Sequence, residues 1–67
     1  MYTEEQKAQR EYDRLHDGIA NICAVITLAK QEDRTDLIEP LRQFIDELDA
    51  KKTAARSRMW ELHRQNN

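Results

Sequence analysis

The chain predicts an all-α fold: an antiparallel two-helix hairpin, dimerising into a four-helix bundle. Three observations carry this expectation. First, Ala8, Tyr12, Leu15, Ile19, Ile22, Ile26 and Ala29 fall at alternating steps of four and three. Ile38, Leu41, Ile45, Leu48, Lys52, Ala55, Met59 and Leu62 repeat that beat, broken by Lys52 alone. A 3.5-residue period marks helices that pack lengthwise. Second, the two stretches are separated by the polar run Gln31-Glu32-Asp33-Arg34-Thr35-Asp36, which reads as a turn. Third, a chain of 67 residues with one Gly and one Pro favours helix over sheet. It reads as one domain over residues 1–67, with helix 1 about 3–30, a turn at 31–36 and helix 2 about 37–64.

Helix 1 begins at Thr3. Its hydroxyl suits an N-cap, Glu4 and Glu5 favour the positive helix end, and Gln6 completes a capping box. The first half of this helix is a charged cylinder with one narrow apolar seam. From Ile19 onward, Ile19, Ala20, Ile22, Cys23, Ala24 and Val25 begin an apolar run that surrounds the helix and reaches Ala29. A helix that is apolar all round is covered on more than one side. A single partner helix covers one stripe, so a second hairpin is the simplest source of the rest. Gly18 is a weak point in the helix interior, or a place where another backbone comes close. A buried strand over this run is the alternative, but it would have no sheet to join.

Helix 2 starts at Asp36 or Leu37. Asp36-Leu37-Ile38-Glu39 has the form of a capping box, and Pro40 falls in the first turn, where a missing N–H costs least. Its beginning carries two stripes, one through Ile38, Leu41, Ile45 and Leu48, the other through Leu37, Leu41, Phe44 and Leu48. Together they exceed what one seam needs. Antiparallel pairing sets Ile22 near Ile45, Ile19 near Leu48 and Leu15 near Lys52, whose ammonium would then reach for acids such as Glu11. The expected dimer core is therefore Ile19, Ile22, Ile26, Leu41, Phe44, Ile45 and Leu48.

Size and composition narrow the function. So short a chain buries a modest core. The one cysteine, Cys23, excludes an internal disulfide, and His16 and His63 are too far apart for a zinc site. Cys23 lies in an apolar run without a neighbouring base and reads as a buried core residue rather than a reactive thiol. Glu32, Asp33 and Asp36 lack the glycine and spacing of a calcium loop. No phosphate loop or pairing of nucleophile with base is present, so no enzyme, cofactor or metal is expected. The longest uncharged segment, residues 18–29, is shorter than the roughly 20 residues of a membrane span. With no signal-like N-terminus, the expectation is a cytoplasmic protein with a reduced thiol.

Two surfaces are candidates for a partner. Arg34, Asp36, Leu37, Glu39 and Pro40 mix charge and apolar area at the hairpin tip. Arg56, Arg58 and Trp60 put arginine beside an exposed aromatic in the tail, a composition enriched at binding hot spots. The tail also admits a nucleic-acid reading. Lys51, Lys52, Arg56, Arg58 and Arg64 could contact phosphates, with Trp60 stacking on bases. The plain reading is that these cations answer the acids of helix 1. The net charge of −2 gives no global pull toward nucleic acid. An alternative reading of Tyr2 and Trp60 is that they staple the two termini together.

In Leu15-x3-Ile19-x2-Ile22-x3-Ile26, an acidic turn, and Leu37-x3-Leu41-x3-Ile45-x2-Leu48, the chain resembles two groups. One is the repressor-of-primer proteins of plasmids, dimeric helical hairpins that bind paired RNA loops. The other is the small phage-encoded helical-hairpin regulators, including quorum-sensing anti-activators, which dock on host proteins and block them. The second resemblance implies a homodimer acting in the host cytoplasm on a larger protein such as a transcription regulator. An RNA- or DNA-binding bundle is the alternative.

Overall fold

The computed structural model describes residues 2–66 and is an antiparallel two-helix hairpin. Helix α1 spans Glu4–Gln31, a 3-10 turn spans Thr35–Leu37, and helix α2 spans Ile38–Asn66. The Cα trace measures 51 × 20 × 14 Å. The molecule is thus one helix thick, since a helix with its side chains is about 10–12 Å across.

The start of α1 is the expected capping box. The Gln6 amide donates to Thr3 Oγ1 at 3.1 Å, and the Thr3 amide donates to Gln6 Oε1 at 2.9 Å. Its end is a Schellman turn. The Arg34 amide donates to the Ala29 carbonyl at 2.7 Å and the Asp33 amide to the Lys30 carbonyl at 3.3 Å. That turn needs a left-handed residue, and Asp33 supplies it at φ 57°. Glycine is the usual choice there, but Asp tolerates the conformation better than most side chains.

The start of α2 departs from expectation. Asp36 does not cap it. Its carboxylate instead accepts from Arg34 Nε at 3.1 Å and Arg34 Nη2 at 3.2 Å. A charged two-pronged donor two residues away outcompetes neutral backbone amides. The chain enters α2 through 3-10 bonds, Leu37 amide to Arg34 carbonyl and Ile38 amide to Thr35 carbonyl. Pro40 lies in the first turn of α2, as its missing N–H requires.

The seam follows the heptad. Every predicted seam position is buried or half-buried, and among the other described side chains only Glu5 and Gly18 share that status. Ala8, Leu15, Ala29 and Ala55 are the buried members. Lys52, the break in the pattern, sits half-buried in the seam but does not reach Glu11. Its Nζ lies 3.1 Å from His16 Nδ1 and 5.3 Å from the centre of the Tyr12 ring. Its aliphatic stem lies within the seam while the ammonium lies against the His16 imidazole and the face of the Tyr12 ring.

The hairpin leaves a large surface open to solvent. It exposes 5464 Å², against about 4,450 Å² for a typical folded monomer of 8.0 kDa. Cys23, expected in a core, is exposed. One partner helix covers one stripe, and Cys23 lies outside it.

Candidate interaction surface

A hairpin one helix thick has two broad faces, a tip and an open end. Residues seven apart on a coiled-coil helix share a row. Glu4, Glu11, Gly18 and Val25 form the row beside the seam on α1. Leu37, Phe44, Lys51 and Arg58 form the corresponding row on α2. Both rows border the same face, because Glu4, Glu11, Lys51 and Arg58 line one shallow groove over Ala8 and Ala55.

This first face changes character along its length. Toward the termini it is charged, with acids on α1 and bases on α2. Arg58 Nη2 donates to Glu4 Oε2 at 2.9 Å, and Lys7 Nζ reaches Glu4 Oε1 at 3.3 Å. The Lys7 hydrogen bond and charge, helped by Arg58, hold the Glu4 carboxyl below its usual range. Toward the tip the same two rows become apolar. Val25 is 46%, Leu37 38% and Phe44 49% exposed, and Leu28 on α1 adds a side chain 55% exposed. Four large apolar residues exposed on one half of so small a protein amount to more than scattered surface hydrophobes.

Gly18 lies where the charged and apolar halves meet. A glycine inside a helix costs about 1 kcal/mol relative to alanine. Nothing within the hairpin requires it. Beyond the helix's own backbone, an added Cβ would meet only Leu48 Cδ1, at an ordinary 3.9 Å.

The second face is different in kind. Its terminal half holds a shallow groove lined by Glu5, Tyr12, Arg56, Met59, Trp60 and His63. The Tyr12 and His16 rings stack with centroids 6.4 Å apart and planes 8° apart. His63 Nδ1 lies 3.5 Å from Glu5 Oε1. Cys23 belongs to this face, seven residues from His16.

The expected site residues are distributed as follows. Of the expected dimer core, Ile19, Ile22, Ile26, Leu41, Ile45 and Leu48 are half-buried in the hairpin's own seam, and Phe44 stands outside it. At the tip, Arg34 and Asp36 grip each other, and the Arg34 hydrogen bond holds the Asp36 carboxyl below its ordinary value. Leu37, Glu39 and Pro40 are exposed beside them. In the tail, Arg58 borders the first face while Arg56 and Trp60 line the second. The five expected nucleic-acid cations are likewise divided. Lys51 and Arg58 flank one side of the seam, Arg56 the other, Lys52 lies in the seam with its ammonium at His16, and Arg64 is exposed off both rows. Tyr2 does not staple the termini. It folds along α1, with the Arg10 guanidinium 4.4 Å over its ring.

Val25 and Leu28 belong to the apolar run read on helix 1 but were not among the expected site residues. The signal for Val25 was its place one heptad after Gly18, beside the seam rather than in it. Among the described residues, no cluster of His, Cys, Asp and Glu could hold a metal ion, and no helix is long and apolar enough to cross a membrane. Comparison with protein-family models, curated proteins and solved structures gives no match to this chain.

Proposed function

We propose that this chain is a small non-enzymatic interaction protein, a homodimer of hairpins that binds a larger protein and inhibits it by occupying its surface. A host transcription regulator is the kind of target the reading favours. One observation carries the proposal: the apolar half-face of Val25, Leu28, Leu37 and Phe44 stands uncovered. The hairpin exposes about 1,000 Å² more than its mass calls for. That excess is close to the surface each partner loses in a standard interface, about 800 Å². With this half-face given to self-association, the tip around Arg34 to Pro40 and the second-face groove around Arg56 and Trp60 are left for the target. The forked Arg34–Asp36 pair stiffens the tip, which lowers the entropic cost of docking.

The test has two stages. Sedimentation of the purified chain at micromolar concentration is expected to give a dimer. Capture from host lysate is then compared between the wild type, a Trp60→Ala variant and an Arg34→Ala/Pro40→Ala variant. A specific protein retained by the wild type and lost with either variant supports the reading. The same protein retained by all three would remove the assigned surfaces. Retardation of RNA or DNA at low salt, weakening steeply as salt rises, would favour a nucleic-acid function instead.

A further inference from the structure

We infer that two copies of this chain pack through the first face, about a two-fold axis running along the hairpin's length, with both tips at the same end. The inference rests on the homodimer reading and specifies its face and its geometry.

Three observations point to a second copy as the occupant. The first is charge. The terminal half of the face carries acids on α1 (Glu4, Glu11) and bases on α2 (Lys51, Arg58) at corresponding levels. A two-fold axis along the hairpin lays α1 of one copy over α2 of the other. Each acid row then meets the partner's basic row while keeping its own basic row alongside. A two-fold interface uses the same patch twice, so the patch must complement itself, and this one does.

The second observation is the apolar half. The same axis lays the tip half of one copy on the tip half of the other, so Val25, Leu37 and Phe44 leave water together. Reversing one hairpin end for end about the level of Gly18 would instead place Glu11 and Lys51 over Val25 and Leu37, setting charge against apolar side chains. Sliding the reversed hairpins until only the tip halves overlap would abandon the charged halves. Neither accounts for the full excess of surface.

The third observation is Gly18. A helix-interior glycine that no neighbour inside the hairpin requires makes sense where something outside comes close. In the proposed pairing Gly18 leaves a notch at the level where the partner's Phe44 lies. Cys23, on the opposite face, then points away from the interface in both copies.

The test uses the full chain, with helicity followed by circular dichroism and assembly by sedimentation equilibrium. Phe44→Glu should weaken dimerisation by about 100-fold. Gly18→Leu should weaken it while leaving helicity at or above the wild-type level, since leucine is the better helix former. Loss of the dimer in that variant therefore cannot be ascribed to unfolding. Glu11→Lys and Lys51→Glu chains should each dimerise poorly alone, because each then carries one sign on both rows at the level of residues 11 and 51. Mixed in equal amounts, they should form a heterodimer visible by native mass spectrometry. A monomeric wild type would overturn the homodimer reading and this inference with it. A wild-type dimer that tolerates Phe44→Glu and Gly18→Leu, and that oxidises readily to a Cys23–Cys23 disulfide, would leave the homodimer standing and overturn the choice of face. Dimers indifferent to both charge changes would overturn the axis.

Discussion

The terminal and tip halves of the hairpin share one heptad spacing but differ in what that spacing covers. In the terminal half the seam is narrow, yet Ala8, Leu15 and Ala55 are buried. In the tip half apolar residues are far more abundant, yet Ala29 alone is buried and the isoleucines are half-exposed. Apolar content and burial run in opposite directions. The reason lies in the flanks. Around Ala8 and Ala55, the long side chains of Lys7, Lys51 and Arg58 line the groove beside the seam, and Lys7 and Arg58 both reach Glu4. Their aliphatic stems shield apolar atoms while their charged ends stay in water. Around Ile22 and Ile45 the flanks are Val25 and Phe44, which need cover themselves. Heptad spacing decides which residues face the other helix, and the flanking rows decide whether the helix pair is sufficient alone.

Substitutions can break or sharpen this contrast. The largest effect is expected at Leu15, the one large side chain among the buried residues. Leu15→Ala should cost on the order of 3 kcal/mol and lower the thermal midpoint by roughly 15 °C. Ile26→Ala in the tip half should cost about half as much in dilute solution, because half of that side chain's cover is missing. The gap should narrow as concentration rises and a second copy supplies the cover. Equal costs at every concentration would contradict the difference between the halves.

Lys52→Leu completes the seam and should stabilise by about 1 kcal/mol, read as a higher urea midpoint. It should also free His16 from its ammonium partner, which a shift of the His16 ring resonances would report. Asp33→Gly should stabilise by a smaller amount, about 0.5–1 kcal/mol, by relieving the left-handed strain at the end of α1. The smallest effect concerns acid. The Glu4 carboxyl is held below its ordinary value of 4.5 in the folded chain by Lys7 and Arg58. A depressed carboxyl contributes its stability fully above the unfolded value and loses it as pH falls through the folded one. Glu4→Gln should therefore cost a small amount of stability at neutral pH, and that cost should vanish as pH falls well below 4.5, leaving a flatter acid limb. Because the pair is fully exposed, salt should screen the difference.

Much of this architecture was legible in the sequence. The seam was readable residue by residue, because a 3.5 period leaves no freedom in which side chains face the other helix. The Thr3 capping box was readable because both of its partners lie within one turn. Asp36 was misread because its carboxylate had two possible donors, and sequence spacing does not rank the Arg34 guanidinium against the helix amides. Cys23 was misread for another reason. An apolar run that encircles a helix says that more than one side wants cover, but not which side receives it within a single chain. The expected dimer core joined Phe44 to six residues of the hairpin's own seam, and the uncovered apolar area lies beside that seam, on Val25, Leu37 and the same Phe44.

The central claim is that the tip half is incomplete in one chain and completed by a second. Sedimentation equilibrium over about 1 to 100 μM, paired with thermal melts of the same samples, tests it most directly. The expected result is a mass rising to twice 8.0 kDa, with a melting midpoint that climbs alongside it. A fully helical species that stays at 8.0 kDa throughout, with a concentration-independent midpoint, would contradict the claim.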